Sequence, residues 1–301
     1  MSEAELIAAI RRQAGAAAGA LALGIGDDCA IYRPRGARDE LLFTTDLLIE
    51  DVHFRRADHP AAAVGHKALA RGLSDIAAMG AQAQFCLLSL ALPEWADARW
   101  QRGFWRGFFA LARRAGVTLA GGDLARAEKL ACDIVGCGRA PRGLALRRDG
   151  ARPGEAIFVS GLLGGSALGL ETGRGKAWRR HLKPEPRLAL GRFVRQRLKA
   201  TAAMDLSDGL SIDLRRLCLA SGVAARLDRP LPAFPGATLD HVLHGGEDYE
   251  LLFTLPARAR PPAFHDGVAL TRIGAIEKGP AGQVECFGRP LAALGWDHFR
   301  R

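Results

Sequence analysis

Acidic residues of this chain are concentrated beside glycine, serine and threonine, in short segments whose composition is typical of turns. Six such segments are spread along the chain: Gly26-Asp27-Asp28, Thr44-Thr45-Asp46, Leu73-Ser74-Asp75, Gly122-Asp123, Asp205-Leu206-Ser207-Asp208-Gly209 and Gly245-Gly246-Glu247-Asp248. Mg²⁺ prefers oxygen ligands and usually takes one or two carboxylates together with water and substrate phosphates. Any one of these segments is also typical of an ordinary turn or helix cap. Their number predicts a magnesium-dependent enzyme of phosphoryl transfer.

Other catalytic chemistries have less support from the residue spacing. The eight histidines show no H-E-x-x-H or Cys/His ligand spacing, which argues against zinc. Neither Ser166 nor Ser207 lies in a G-x-S-x-G nucleophile elbow. The glycine-rich segment Gly161–Ser166 lacks the Lys-Ser/Thr end of a P-loop and the Rossmann spacing. Its backbone amides are able to hold a phosphate, and a simple strand-to-helix turn remains the alternative.

Composition and charge indicate a basic globular protein. The chain has 301 residues, 49% of them hydrophobic, which predicts two domains with a core each. Its net charge of +10 is scattered along predicted helices, which favours a solvated surface over nucleic-acid or membrane binding. The six cysteines form no C-x-x-C pair, so we expect no disulfide framework. No apolar run is long enough to cross a bilayer, and the N-terminal segment is typical of a short amphipathic helix. We therefore expect a cytoplasmic protein with no nucleic-acid or membrane partner.

Strand-like and helix-like segments alternate along the chain, which predicts two domains of the α/β or α+β class. The predicted strands are Leu41–Thr45, Phe85–Leu92, Val117–Ala120, Leu130–Cys137, Ala156–Ser160, Tyr249–Leu255 and Val268–Ile273. The predicted helices are His66–Met79, Trp95–Ala115, Pro184–Leu198 and Leu210–Leu219, with another after Gly161–Ser166.

A Gly/Pro/Arg-rich stretch from Gly138 to Gly154 is the best candidate for a boundary between the domains. Leu73-Ser74-Asp75 recurs as Leu206-Ser207-Asp208, and Gly121-Gly122-Asp123 has an echo in Gly245–Asp248. Matches this short also arise by chance, so a structural duplication and coincidence both stay open.

The acidic segments belong to longer motifs whose order resembles one enzyme family, thiamine-monophosphate kinase. The motifs are GIGDDCA (24–30), TTDLLIEDVHF (44–54), HKALARGLSDIAAMGA (66–81), GGD (121–123), MDLSDGLSIDL (204–214) and HGGEDYELLFTLP (244–256), followed by the closing segment 295–299. The resemblance covers almost the whole chain. It implies the two-domain fold of aminoimidazole ribonucleotide synthetase, of class α/β (α+β), with domains at 1–138 and 149–301. The first domain would carry the metal and nucleotide site and pair in a homodimer.

The resemblance also implies an activity and a set of site residues. ATP would phosphorylate thiamine monophosphate, giving thiamine diphosphate and ADP, with several Mg²⁺ ions as cofactors. Asp46, Asp75 and Asp208 would be catalytic, and Asp27 would lie beside the metal site. The implied metal ligands are Asp28, Thr44, Thr45, Asp46, Asp75, Asp123, Asp205 and Asp208. The implied nucleotide contacts are Gly122, Asp123, Arg148 and Ser207, and the implied contacts to thiamine monophosphate are His53, Glu247 and Trp296.

Two positions depart from the family pattern. Leu124–Ala127 replaces a run that usually has threonines and Arg-Gly, and Gly165 replaces an aspartate. Another ATP-dependent synthetase of the same fold is the first alternative, although Cys29 lacks the neighbouring lysine expected for a selenophosphate synthetase. A basic nucleic-acid-binding or scaffold protein is the second, and the clustered carboxylates oppose it because they repel a phosphate backbone.

Overall fold

Two β-sheets and eight α-helices make up the computed structural model, which describes residues 2–299. The first sheet has six strands: β1 (Leu21–Leu23), β2 (Ala30–Tyr32), β3 (Asp39–Ile49), β4 (Gln82–Leu92), β5 (Thr118–Arg126) and β6 (Ala131–Pro141). The second contains β7 (Ala156–Ser160), β8 (Ala202–Asp205), β9 (Ala224–Leu227), β10 (Leu251–Leu255), β11 (Phe264–His265), β12 (Val268–Glu277), β13 (Val284–Cys286) and β14 (Arg289–Pro290). The helices are α1 (Glu3–Ala14), α2 (Ala61–Ala78), α3 (Ala98–Ala115), α4 (Gly165–Thr172), α5 (Gly175–Leu182), α6 (Leu188–Phe193), α7 (Leu210–Ser221) and α8 (Leu239–His244).

The first sheet has the order β1-β2-β3-β6-β4-β5, and α2 packs on one of its faces. Glycines let α2 and α3 approach closely: a Cβ on Gly65 would lie 2.0 Å from the Phe104 carbonyl oxygen, and one on Gly107 would lie 1.8 Å from that of Ala62. Helix α2 is buried along most of its length because it also contacts α6 and the second sheet. It is therefore a central element between the two halves of the chain.

The second sheet has the order β14-β13-β9-β12-β7-β10-β8, and its central strands are buried on both faces. Alternate residues of β7 face different cores. Phe158 stacks on Phe253 in the core shared with the first half, with ring centroids 5.7 Å apart, whereas Ile157 and Val159 belong to a second core under α7. Uninterrupted apolar strands of this kind are expected where both faces of a sheet are covered.

The predicted fold class is confirmed, and most predicted elements are present with shifted ends. Three of the six acidic segments are nevertheless not turns, which corrects the expectation from composition. Thr44–Asp46 lies inside β3, Ser74–Asp75 lies inside α2, and Gly122–Asp123 lies inside β5. The surrounding apolar and β-branched residues continue β3 through its aspartate, and the Ala/Leu-rich neighbours of Asp75 favour a helix.

Two helix boundaries differ from the prediction for local reasons. Helix α3 begins after Trp95 because the Asp97 side chain caps it, accepting a hydrogen bond from the Trp100 backbone N–H at 2.8 Å. Helix α6 begins only at Leu188, after two prolines, and continues as a π-helical turn over Val194–Leu198.

Strand β6 runs past Gly138 to Pro141, so a first domain ending at residue 138 would cut this strand. The division at 1–138 and 149–301 stays a prediction. The two Leu-Ser-Asp triplets have different structures, because Ser74 lies within a helix and Ser207 lies in the loop before α7. Among the described residues, no helix is long and apolar enough to span a bilayer.

Candidate active site

A cavity of about 680 Å³ is lined by residues from both halves of the chain. The charged part of its lining, the polar end, comprises Asp46, Arg71, Asp75, Asp205, Asp208 and Glu247. The mostly apolar part of its lining, the apolar end, comprises Leu6, Ile7, Ile10, Val52, Leu170 and Trp296. A site of this shape suits a ligand that has an anionic part and an aromatic or aliphatic part.

Helix α2 presents a row of charged residues to the polar end. Lys67, Arg71 and Asp75 are spaced by four residues, which places them on one helical face. Sequence reasoning assigned a role to Asp75 and missed Lys67 and Arg71. The signal was available, because three charges at this spacing interrupt an otherwise apolar helix.

Three carboxylates form the most concentrated acidic group of the site. One oxygen from each of Asp28, Asp75 and Asp205 lies within 4.8 Å of the other two. Thr44 donates a hydrogen bond to Asp75, and Ser74 donates one to Asp205 at 2.6 Å. Burial raises the pKa of Asp75 and of Asp205, and the neighbouring carboxylates raise both further. Crowded, buried oxygens of this type fit a divalent cation, which would remove their mutual repulsion.

Arg148 lies against this acidic group. Its guanidinium donates to Asp28 at 2.5 Å, and its backbone N–H donates to Asp27 at 3.1 Å. Burial and the neighbouring Asp28 raise the pKa of Asp27 to about 7, even though Arg148 lowers it. The structure thus brings Asp27, Asp28 and Arg148 together across 120 residues of sequence.

The loop that carries Asp208 is held by residues that sequence reasoning missed. Buried Asp213 accepts hydrogen bonds from the backbone N–H groups of Asp208 at 3.0 Å and Gly209 at 3.1 Å. Arg216 donates to both Asp208 and Asp213. Burial and Asp208 raise the pKa of Asp213 to about 7. The motif at 204–214 contained Asp213, but only the fold shows that its carboxylate accepts from the loop backbone.

Glu247 lies in the loop after α8 and lines the cavity. Its backbone N–H donates to the Ser207 carbonyl at 2.7 Å, so the two acidic loops are joined. Its φ of 63° is in the left-handed region, which is unusual for a residue with a side chain. Burial favours protonation of Glu247, but the charges of Lys67 and Arg71 outweigh it and lower its pKa to about 2. Glu247 is therefore ionised, with the Lys67 ammonium 2.8 Å away.

A chain of hydrogen-bonding side chains lies beside Glu247. The Ser166 hydroxyl is 2.9 Å from His181 Nδ1, and the Nε2 atoms of His181 and His59 are 3.2 Å apart. Burial lowers the pKa of His181 to about 3, so this ring is neutral. Sequence reasoning left Ser166 without a catalytic role because it lacks the nucleophile elbow, and the structure places it on the cavity wall.

His53 and Trp296 both line the cavity, as does Ser207. Burial and the neighbouring Arg71 lower the pKa of His53 to about 3. The Trp296 side chain is half-exposed, and its backbone N–H donates to the Asp208 carbonyl at 2.9 Å. The Glu3 backbone N–H donates to Asp297 at 3.3 Å, which attaches α1 to the same C-terminal segment.

Three residues from the implied site are not brought to the acidic group. Thr45 lines the cavity, but its side chain points to the opposite face of β3 from Asp46 and donates to Asp133 at 2.5 Å. Gly122 and Asp123 lie on the edge strand β5, which two strands separate from β3. At about 4.8 Å per strand, Asp123 is roughly 14 Å from the β3 aspartate. A Cβ on Gly122 would lie 1.9 Å from the Leu88 carbonyl oxygen, so this glycine is needed for close strand packing.

Gly165 has a packing explanation for its departure from the family pattern. A Cβ at this position would lie 2.7 Å from Arg180 Cδ and 2.8 Å from the Phe234 ring. Arg180 is itself bound to Glu250 at 2.6 Å. The space beside Gly165 is therefore filled by other side chains.

Comparisons with known proteins agree with the motif order. The N-terminal domain of the AIR synthase related protein family matches residues 26–140. Thiamine-monophosphate kinase of Escherichia coli (strain K12) is 38% identical over 307 residues, covering 92% of each chain. The structure of AaThiL complexed with AMPPCP and TMP has a TM-score of 0.88 and 32% identity, covering 99% of this chain and 97% of that one. The crystal structure of thiamine-monophosphate kinase from Stenotrophomonas maltophilia K279a has a TM-score of 0.77 and 37% identity, with 96% of both chains covered. This chain belongs to the thiamine-monophosphate kinase family.

Proposed function

We propose that this chain transfers the γ-phosphoryl group of ATP to thiamine monophosphate, forming thiamine diphosphate and ADP. The observation that carries the proposal is one cavity whose lining combines carboxylates, two of them from the carboxylate group, with apolar and aromatic side chains. The similarity to AaThiL, whose structure contains AMPPCP and TMP, supports the same pair of ligands here, since AMPPCP is an analogue of ATP.

The acceptor group determines what the protein has to supply. A phosphate monoester has its second pKa near 6, so its oxygen is already anionic at neutral pH and needs no strong general base. The difficulty is the approach of two anions, since unit charges 4 Å apart repel by about 4 kcal/mol at an effective dielectric of 20. Residues that recruit cations are therefore more useful than a base.

Magnesium fits the carboxylate group by the chemistry of its donors. Asp28, Asp75 and Asp205 would hold it, and Asp46 and Asp208 line the same cavity as Asp75 and Asp205. Bound Mg²⁺ would neutralise phosphate charge and align the reacting oxygens. Thr44 and Ser74 orient two of the carboxylates through their hydroxyl groups. Arg148 would add a direct contact to a nucleotide phosphate.

The opposite end of the cavity suits the thiamine part of the acceptor. Trp296 offers an aromatic face, and Ile7 and Ile10 of α1 add apolar surface. Ionised Glu247 offers a negative charge to the cationic thiazolium ring. This arrangement would direct the monophosphate toward the carboxylate group.

We further propose that transfer is direct and in line, without a phosphoenzyme. The crowded carboxylates and arginines suit a reaction that depends on positioning and charge compensation. The Ser166–His181 contact on the cavity wall favours a different route, through a phosphoserine. Recovery of labelled protein after incubation with [γ-³²P]ATP alone would support that route against ours.

We also propose a homodimer that forms through the outer face of the first sheet. Phe43 and Phe85 share a cross-strand row on this face, and Leu87 lies one row further along. All three are more than one-third exposed. Exposed apolar patches of this kind are typical of protein interfaces. Light scattering coupled to gel filtration tests the proposal: wild type should elute at twice the chain mass, and Leu87→Glu should shift it toward the monomer.

A product assay tests the main proposal directly. Purified protein is incubated with ATP, Mg²⁺ and thiamine monophosphate, and the products are separated by liquid chromatography. We expect equal amounts of thiamine diphosphate and ADP, and no phosphorylation when thiamine replaces the monophosphate. ADP formation without thiamine diphosphate would contradict the proposal. We also propose a cytoplasmic location, where ATP is available, and cell fractionation tests it.

A further inference from the structure

Arg71 has more hydrogen-bonding capacity than the protein uses. Its Nη2 group binds Asp46 at 2.6 Å, whereas its Nε and Nη1 groups are buried without a hydrogen-bond partner among residues 2–299. A buried guanidinium with unused donors is costly, because each donor has lost its contact with water. Arg71 also lines the cavity. The unused donors therefore call for a ligand with acceptor oxygens.

His53 supplies a second unused donor on the same cavity wall. The Ile49 backbone N–H donates to His53 Nδ1 at 3.0 Å, so the neutral ring carries its proton on Nε2. That Nε2 is buried and has no partner among the described residues. Arg71 and His53 both line the cavity, so their unused donors face the same space.

The neighbouring charges determine which ligand these donors suit. Lys67 is already engaged by Glu247 at 2.8 Å, so it does not compete for an anion. Arg71 lies one helical turn from Asp75, which belongs to the carboxylate group, and it lines the cavity together with Glu247 and Tyr249. Trp296 lines the same cavity, so an acceptor whose rings rest against it would hold its phosphate in the space that Arg71, Asp75 and Asp205 also line.

We propose that Arg71 binds the phosphate group of the acceptor, thiamine monophosphate, on the cavity wall that it shares with His53, which the family resemblance already implies as a contact to this substrate. This inference rests on the function proposed above and adds the residue that distinguishes the phosphorylated acceptor from free thiamine. Arginine suits the task because its planar donors match two phosphate oxygens at once. Arg71 keeps one side of its guanidinium on Asp46, which leaves the other side for the ligand.

Calorimetric titration of protein saturated with Mg²⁺ and AMPPCP provides the test. Thiamine monophosphate and thiamine are each titrated into wild type, Arg71→Gln and Arg71→Lys. Arg71→Gln should weaken binding of the monophosphate by about 10- to 100-fold, the scale of charged hydrogen bonds. Its affinity for thiamine should stay within about twofold, because thiamine has no phosphate to lose. The affinity of Arg71→Lys for the monophosphate should fall between those of wild type and Arg71→Gln, since lysine keeps the positive charge but lacks the planar donors.

Arg226→Gln is the control. It breaks an arginine–aspartate pair, as Arg71→Gln does with Asp46, but Arg226 is not among the cavity-lining residues and has no buried unpartnered donor among residues 2–299. The ratio of the affinity for thiamine monophosphate to the affinity for thiamine should therefore be the same in this variant as in wild type. An equal loss for monophosphate and thiamine in Arg71→Gln would overturn the inference and indicate a positioning role.

The phosphate of the nucleotide is the other source of the same chemistry. A direct titration of Mg²⁺-AMPPCP into Arg71→Gln distinguishes the two, and a loss confined to the nucleotide would overturn the inference. Failure of the proposed function is a separate result, because it would appear in wild type as the absence of thiamine diphosphate. Unchanged monophosphate affinity in Arg71→Gln, with an active wild type, would contradict only the inference.

Discussion

The two ends of the cavity are built in different ways. The polar end is formed by buried side chains from α2, β3 and β8, and most of its carboxylates have a hydrogen-bond or ion-pair partner. The apolar end is formed by α1 and the C-terminal segment, near the two termini of the chain. Ile7 and Ile10 there are 40% and 48% exposed, and α1 has no fully buried residue.

This difference separates two tasks. Preorganised charges need a rigid frame, because each group has to meet the reacting phosphates without rearrangement. Apolar residues that contact the rings of a ligand can shift without losing much binding energy, since the hydrophobic effect is not directional. Changes at the polar end should therefore alter kcat or folding, whereas changes at the apolar end should alter KM for the acceptor.

The largest expected effect is loss of turnover in Asp46→Asn and in Asp208→Asn. Each removes a negative charge from the polar end, and removal of one preorganised electrostatic group typically costs about 10²- to 10³-fold in rate. Steady-state kinetics at saturating Mg²⁺ measure kcat, and circular dichroism checks that the variants are folded. Asp228→Asn, on the exposed surface, is the control. Near-normal kcat in either variant would remove that residue from the set of core ligands.

Lys67→Met should destabilise the protein by roughly 3 kcal/mol, because it leaves the charge of Glu247 without its partner in a largely buried site. Urea denaturation measures the change in the free energy of unfolding. The double variant Lys67→Met/Glu247→Gln should recover a large part of the loss, since it removes the unpaired charge as well. A double variant as unstable as the single one would show that Lys67 acts through packing alone.

Asp75→Asn should raise the Tm of the protein in EDTA at pH 8. The pKa of Asp75 is raised in the folded state, so its charge disfavours folding at any pH above its unfolded pKa near 4, fully so above the folded pKa. Asparagine keeps the Thr44 hydrogen bond and removes this cost. A gain of about 1 kcal/mol per pKa unit corresponds to roughly 2 °C or more.

The pH dependence of the Tm difference between Asp75→Asn and wild type checks whether the Asp75 charge destabilises the folded protein. Lower pH protonates Asp75 in the folded wild type, so the Tm difference should shrink as pH falls from 8 toward 5. Added Mg²⁺ should stabilise wild type more than the variant. A variant less stable than wild type in EDTA at pH 8 would contradict the repulsion that we infer in the carboxylate group.

The smallest expected effect is that of Ile7→Ser and Ile10→Ser at the apolar end. Each side chain is only partly covered, so each should contribute about 1 kcal/mol, or about a fivefold rise in KM for thiamine monophosphate. The kcat and the KM for ATP should stay within about twofold. Leu239→Ser, on a similarly exposed residue outside the cavity, is the control. A fall in kcat without a change in KM would contradict the separation of tasks.

The sequence predicted the fold class and most of the strands, because the apolar segments are long and clearly bounded. It did not predict that Asp46 lies inside a strand and Asp75 inside a helix, since an aspartate beside threonine or serine is more typical of turns and caps. Such positions are tolerated here because Arg71 pairs with Asp46 and Thr44 donates to Asp75. Both partners are separated from these aspartates in the sequence, so composition alone could not reveal them.

The site residues were predictable where a motif carried them, and less so where they depend on tertiary contacts. Asp28, Asp75 and Asp205 were expected from the motifs, and the fold brings their oxygens together. Arg71 was missed although its spacing on α2 contained a signal. Asp213 was missed because its role depends on accepting from the backbone of its own loop.

The most direct test of phosphoryl transfer at this cavity is a single-turnover experiment with enzyme in excess over [γ-³²P]ATP. Rapid mixing with Mg²⁺ and thiamine monophosphate, followed by quenching, measures label in ATP, in protein and in thiamine diphosphate over time. We expect label to appear in thiamine diphosphate at the rate at which it leaves ATP, with no labelled protein, in wild type and in Ser166→Ala. Labelled protein that forms before the product and disappears in Ser166→Ala would contradict direct transfer.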